Sequence, residues 1–293
     1  MKTRSIFRWS AYVFGSLLLL LVAAVVSINA SFKSKTNQSY DTGAVATWEI
    51  DRSSEAVQEG GRLVTFRGCI DCHGKNLGGK IMINDPAIGT VIAPNITRGK
   101  GGLPADWSEV DWVRTLKHGV NRDGHSLLIM PSYETAQLTK ADMGAIIAYV
   151  DQVAAVDQEW ERSSFGPLGK LLSILDELPT FVAAKIDHQA VLPADMEPKA
   201  DVTYGAYLAV SCTGCHKPDF KGGKHPVPGM PEVPDITGKG ILAKHQLQSF
   251  DAFMRTGKNT EGRQVDPAAM PWPLATVLTA VEMEALYLYL KSL

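Results

Sequence analysis

At 293 residues the chain is long enough for two or three domains, each able to bury its own core, and a composition of 45% apolar and 20% charged residues excludes wholesale disorder. A formal net charge of -2 gives no reason to expect nucleic acid as a partner. Lys2, Arg4 and Arg8 precede any acidic residue, so the rest of the chain is net acidic, and a basic docking patch on a partner is expected, acting chiefly on encounter rate and salt dependence.

From Trp9 to Ala30 the sequence is almost continuously apolar and carries no charge. About 20 such residues suffice for a helix to cross a bilayer. The basic segment ahead of it keeps the N-terminus cytoplasmic, so everything after Ala30 is expected on the other side. The rival reading is a cleaved signal peptide, which shares the basic start but has a shorter apolar core and a small-x-small exit. Ile28 fits a cut after Ala30 poorly, whereas a cut after Ser27 stays open. Either way the globular part reaches the same compartment. Residues 1–30 are read as the anchor and residues 31–48, rich in Ser, Thr, Asn and Lys, as a polar linker.

A first unit follows over residues 49–151. A helix-compatible stretch passes Gly60-Gly61 and Phe66 and runs into Cys69-Ile70-Asp71-Cys72-His73. Residues 76–94 are too punctuated by Gly and Pro for long regular elements and read as a loop. Trp107-Ser108-Glu109-Val110-Asp111-Trp112 opens a helix to about Lys117, Met130-Pro131 follows, and an apolar helical pattern containing Met143 ends at Tyr149-Val150. Residues 152–200 form a connector in which Leu168, Leu171, Leu172, Leu175 and Leu178 recur at helical spacing between Pro167 and Pro179. Clamping the two halves at a fixed angle is the reading that needs nothing beyond this chain; lying on the membrane surface and docking a partner subunit are the others.

Residues 201–293 repeat the first unit. At an offset of 140, Asn95-Ile96-Thr97 falls on Asp235-Ile236-Thr237, Met130-Pro131 on Met270-Pro271, Met143 on Met283 and Tyr149 on Tyr289. Gly205 stands ahead of Cys212-Thr213-Gly214-Cys215-His216 as Gly60 stands ahead of the first motif. A small residue there lets another helix approach closely, and the helix bearing Tyr149 or Tyr289 is the natural partner.

All four cysteines lie in the two Cys-x-x-Cys-His motifs, which is the attachment signature of c-type haem. Two thiols three positions apart on one helical turn each form a thioether to the same porphyrin, and the next residue presents its imidazole to iron. A zinc site, a redox dithiol or a disulfide leaves the histidine after each second cysteine unexplained. Cys69, Cys72 and His73, and Cys212, Cys215 and His216, are therefore read as holding two covalent haems, with His73 and His216 on iron. Whether each iron carries electrons or does chemistry depends on its sixth ligand. Met130 and Met270 are the candidates because the duplication preserves both Met-Pro pairs; Met143 and Met283 sit in helical apolar patterns and read as core. The alternatives are His118 and His125 for the first iron, and His225, His245 and Met230 for the second.

With these motifs in hand, the chain resembles the bacterial mono- and dihaem class I cytochrome c family, and within it the cytochrome subunits that accept electrons for periplasmic dehydrogenases. Cys69 to Gly74 with Gly78-Gly79, Ala93 to Thr97, Trp107 to Trp112, Gly119 to Gly124, Met130-Pro131 to Tyr149, Phe165 to Leu172 and Lys185 to His188 carry the likeness. It implies an all-α fold of two tandem haem domains behind one transmembrane helix, with His/Met ligation. It departs from the alcohol dehydrogenase subunits in having two haem motifs where those carry three, in Asp235, and in lacking the second tryptophan pair, which weighs against membership of an alcohol dehydrogenase complex. The expected function is single-electron transfer on the periplasmic side of the bacterial cytoplasmic membrane, with no catalytic residues of its own. The expected partners are a quinol-oxidising complex, a periplasmic dehydrogenase, a terminal oxidase or a reaction centre. The competing enzymatic reading is a dihaem peroxidase with one open iron site, against which Met130 and Met270 argue.

Overall fold

The computed structural model describes residues 2–226 and 229–293, with side chains from residue 8 onward. Helix α1, Lys2–Thr36, contains the apolar stretch; Arg8–Thr36 is long and apolar enough to cross a membrane, and none of its most apolar window is buried against the rest of the chain. The first unit follows as α2 (Ser54–Phe66), α3 (Cys69–His73), strands β1 (Lys80–Asp85) and β2 (Gly89–Ala93), α4 (Glu109–Leu116), α5 (Ser132–Thr135) and α6 (Lys140–Gln152). The connector supplies β3 (Ser164–Phe165) and α7 (Pro167–Ile174). The second unit consists of α8 (Val202–Ala209), α9 (Thr213–His216), α10 (Leu247–Thr256) and α11 (Ala280–Ser292), with a short 3-10 turn over Trp272–Val277 where the first unit has α5.

The fold is mostly helical rather than purely so. Residues 80–93, read as loop, form an antiparallel hairpin, which β3 extends to three strands in the order β1-β2-β3. Ile81, Ile83, Val91 and Ile92 supply β-branched side chains on both arms. The tip is closed locally, because the Asp85 carboxylate accepts from the amides of Ala87 and Ile88 at 2.8 Å each. Gly and Pro marked the turn and the flanks; they do not interrupt the strands.

In each unit the helix ahead of the cysteine motif crosses the C-terminal helix at a glycine. A Cβ on Gly60 would stand 2.0 Å from the Ala145 carbonyl oxygen, and one on Gly205 would stand 2.0 Å from that of Ala285, with the Tyr149 and Tyr289 side chains beside them. Ile146, Ile147, Leu286 and Leu290 are buried along the same helices, and one continuous core joins both units.

The units meet directly, in a reciprocal arrangement. Arg62, two residues after Gly60, donates from both terminal nitrogens to Glu282 at 2.8 Å each. Tyr207, two residues after Gly205, donates its hydroxyl to Asp142 and accepts from the Thr139 amide at 3.3 Å. Asp142 and Glu282 hold the same place in their helices, three residues after the capping threonines Thr139 and Thr279. Glu282 completes its capping box by accepting from the Thr279 amide at 2.8 Å, while at α6 the Tyr207 hydroxyl takes that role. Across the same interface Leu274 lies 3.6 Å from the Cβ position of Gly68, and Glu134 Oε1 lies 2.9 Å from that of Gly214.

The connector is bound chiefly to the first unit. Asn95 Nδ2 donates to the Val156 carbonyl at 2.7 Å and Trp160 Nε1 to that of Gly78 at 2.8 Å. This explains why Asn95 has a carboxylate at the matching position: Asp235 accepts from the Thr237 amide as Asn95 does from that of Thr97, but only an amide side chain can also donate to Val156. Helix α7 then packs on the end of α1. Lys170 Nζ meets Asn29 Oδ1 at 2.6 Å, and the Phe32 ring touches those of Phe165 and Phe181, with centroids 5.2 and 5.5 Å apart. The clamp expected between haem units is thus made mainly by direct contact, and the connector instead braces the first unit against the emerging helix. Adding one methyl group at either crossing tests the helix packing: Gly60→Ala or Gly205→Ala should lower stability by about 1–3 kcal/mol, read from denaturant unfolding of the purified protein.

Candidate functional site

Each cysteine motif forms a single helical turn, and the residue after it has a positive φ, 81° at Gly74 and 64° at Lys217. Leu77 and Phe220 share a second positive φ three residues further on, at 57° and 58°. These turns fold the chain back so that the imidazole is fixed from behind. His73 Nδ1 donates to the Pro94 carbonyl at 2.8 Å, and His216 Nδ1 to that of Pro234 at 3.0 Å. A carbonyl only accepts, so the proton sits on Nδ1 and the lone pair on Nε2, as a metal-binding imidazole requires. Burial also holds both rings below the usual histidine range and so in the neutral form, against the opposing effect of the proline carbonyls.

The thiols of Cys69, Cys72, Cys212 and Cys215 are unpaired. Burial pushes Cys69 and Cys212 up to about 12, with Cys72 adding to the first shift and Glu134 to the second. Among the described residues no cluster of His, Cys, Asp and Glu side chains could hold a metal ion, so neither cysteine pair is part of a zinc site.

Met130 and Met270 lie in matching turns. Ser132 donates its amide to the Met130 carbonyl at 2.8 Å and Trp272 to that of Met270 at 2.7 Å, around prolines with φ -78°, ψ 58° and φ -78°, ψ 53°. Both are inverse γ-turns. Ile129, directly before Met130, has φ 71°, an unfavourable conformation for a β-branched residue and one that tends to persist where a side chain is held for function. The two methionines and Cys69 and Cys212 flank the same core, whereas Met143 and Met283 are 0% and 1% exposed inside it.

Three of the five rival ligands, His118, His225 and His245, have other partners. His118 and His188 face each other, Nδ1 to Nδ1, at 3.2 Å. His225 Nε2 donates to the Ala269 carbonyl at 3.2 Å, steadying the residue before Met270. His245 Nδ1 meets Ser249 Oγ at 3.3 Å. A planar group with acidic edges fits the first unit, because among the described residues the buried Trp107 indole N–H has no partner, and a haem propionate is the kind of group that could accept from it. Sequence reading missed the roles of Pro94 and Pro234. The available signal was a proline repeated directly before Asn95-Ile96-Thr97 and Asp235-Ile236-Thr237.

Comparison with known proteins agrees with this geometry. The cytochrome c family profile matches residues 57–154 and 202–293. The cytochrome c subunit of the quinone-dependent alcohol dehydrogenase of Gluconacetobacter polyoxogenes is 28% identical over 83% of this chain and 57% of its own length. The cytochrome c subunit of gluconate 2-dehydrogenase from Pantoea cypripedii is 28% identical over 57% of this chain and 40% of its own, and a nicotinate dehydrogenase subunit of Pseudomonas putida is 30% identical over 56% and 14%. The chain thus spans about half the length of the alcohol dehydrogenase subunit it matches.

The His118–His188 pair makes stability depend on acid. Burial, then Lys117 and His188, lower His118 from the ordinary 6.5 to about 4. As pH falls below about 6.5 the unfolded chain takes up the proton first, so stability should decline steadily towards pH 4. Melting temperature followed across that range should show the decline in the wild-type protein and a shallower one in His118→Gln.

Proposed function

The chain belongs to the cytochrome c family, and from that premise we propose that it is the membrane-anchored, dihaem electron-transfer subunit of a periplasmic dehydrogenase. Each unit would hold one haem c: Cys69 and Cys72 by thioethers with His73 and Met130 on iron, and Cys212 and Cys215 with His216 and Met270. The bound group supplies a one-electron iron couple, and the protein sets its ligation, burial and orientation. The two proline carbonyls fix the ring orientation and basicity of the proximal imidazoles. Met130 and Met270, carried by the two γ-turns, would supply a thioether sulfur to each iron, which would favour electron transfer over chemistry at iron.

The observation that carries this reading is the duplication of the whole set, imidazole, proline carbonyl and Met-Pro turn, at both sites. One-electron carriers in direct contact suit a donor that releases electrons in pairs, and the relatives serve dehydrogenases acting on alcohols, gluconate and nicotinate, which supports a dehydrogenase as donor. The acceptor lies in or on the membrane that α1 enters. In this reading the protein works at the periplasmic face of the cytoplasmic membrane, and the length and apolar character of its N-terminal helix support that location.

The ligand set is testable by spectroscopy. The oxidised protein should show the weak near-infrared band that reports sulfur bound to ferric haem, and Met130→Ala and Met270→Ala should each remove part of it while two haems per chain are retained. A band unchanged in both variants would exclude the two methionines as ligands.

A further inference from the structure

One charged residue at the junction of the units has no role in attachment or ligation. Arg67 stands two residues before Cys69, in a stretch that makes the Gly60-to-Cys69 spacing two residues longer than the Gly205-to-Cys212 spacing, so it has no counterpart in the second unit. Its side chain is 5% exposed. The guanidinium lies over the Tyr207 ring of the other unit, 4.7 Å from its centroid, and 5.2 Å from that of Phe66. Nη1 donates to Ser211 Oγ at 2.9 Å and to the Tyr207 carbonyl at 3.4 Å. Ser211 directly precedes Cys212, so one hydrogen bond joins the two attachment motifs.

The charge is poorly compensated. Among the described residues, Nε and Nη2 are buried with no hydrogen-bond partner. The nearest carboxylate, Asp142, stands 4.0 Å from Nη2 and already receives the Tyr207 hydroxyl. Glu134 also feels the Arg67 charge, but from over the second motif, where it lies against Gly214. A buried cation held this way is weak in stabilising terms, since well-packed apolar residues commonly do as well or better. Its field, however, is little screened by salt. A positive charge beside a redox iron disfavours the more positive, oxidised state, and this one is placed between the two motifs rather than beside one of them.

We propose that Arg67 is a positioning residue shared by both redox centres: it ties the two attachment motifs together through Ser211, and its buried charge raises the reduction potential of both haems at once. The inference rests on the dihaem reading above. It assigns no new step, and no proton moves; each electron passes between the same two centres, whose oxidised forms are both disfavoured by the same cation.

The test uses the full-length, detergent-solubilised holoprotein. Haem per chain is counted first, and fewer than two in the wild type would defeat the dihaem reading independently of this one. Spectroelectrochemical titration then gives two midpoint potentials. In Arg67→Met both should shift downward with haem content unchanged, whereas Arg67→Lys, which keeps the charge, should leave both near their wild-type values. If Arg67→Met does not load haem, Arg67→Gln, which keeps a donor for Ser211 but no charge, should give the same downward shift. Potentials unmoved on loss of charge, or a shift confined to one haem, would overturn the proposal. A purely structural role for Arg67 would move folding stability in the Met, Gln and Lys variants without separating them by charge.

Discussion

A carbonyl oxygen 2.0 Å from where a β-carbon would stand leaves room for a hydrogen atom and little else. That constraint, met twice, at Gly60 against Ala145 and at Gly205 against Ala285, determines how near the helix ahead of each cysteine motif comes to the C-terminal helix of its unit. The rest of each site is measured from that crossing. Cys69 and Cys212 begin a few residues beyond the glycine, so their place relative to the core follows from it. The turns after His73 and His216 carry the chain to Pro94 and Pro234, whose carbonyls then reach the imidazoles. A side chain at the crossing would separate the helices and shift the cysteines relative to the methionine turns that flank the same core.

The same two helices also make the junction between units, and here near-symmetry is more informative than symmetry. Arg62 with Glu282 and Tyr207 with Asp142 are the same contact made in two chemistries. The Arg62 pair is ionic, and Glu282 is almost wholly buried, so removing Arg62 would leave an uncompensated buried carboxylate, whereas Arg62 also has Glu59 as a partner. The Tyr207 pair is anchored instead by a hydroxyl set into a helix cap. Next to the motifs the substitution is sharper, with Leu274 facing Gly68 and Glu134 facing Gly214. Burial pushes Glu134 up to about 7, with Arg67 opposing. A duplicated fold therefore presents different electrostatic surroundings to its two halves while keeping the imidazole–carbonyl bond and the Met-Pro turn of each.

What was legible in the sequence is what depends on spacing or on a covalent pattern. The cysteine motifs, the Met-Pro pairs, the glycines ahead of them, the helix opened by Trp107-Ser108 and the apolar helix containing Met143 all announce themselves over a few adjacent residues. The hairpin at residues 80–93 was missed because its strands are short and its punctuating residues lie at the ends, where Asp85 closes the tip. The proline carbonyls were missed for a different reason: every residue carries a carbonyl, and only the fold decides which one an imidazole reaches. Arg67 reads in sequence as an ordinary surface charge. Its burial comes from Tyr207 and Ser211, some 140 positions away, and no local pattern records that.

The connector illustrates how a plausible sequence reading can name the right element and the wrong partner. Leu168, Leu171 and Leu172 do lie in a helix, which ends at Ile174 short of Leu178, but the segment before it is fastened to the first unit by Asn95, Gly78 and the β2 edge, and α7 turns its basic residue towards α1. Phe32, near the end of α1, sits between Phe165 and Phe181, so the emerging helix is gripped by aromatic rings rather than followed by a free spacer. Residues 39–40 continue the attachment, with Tyr40 donating its amide to the Gly124 carbonyl at 2.9 Å. The first unit is thereby fixed relative to the helix, and the second is fixed relative to the first through Arg62, Tyr207 and Arg67. Contacts of these two kinds, one apolar and close to α1, the other polar and between haem motifs, hold both sites in one arrangement without requiring the connector to span them.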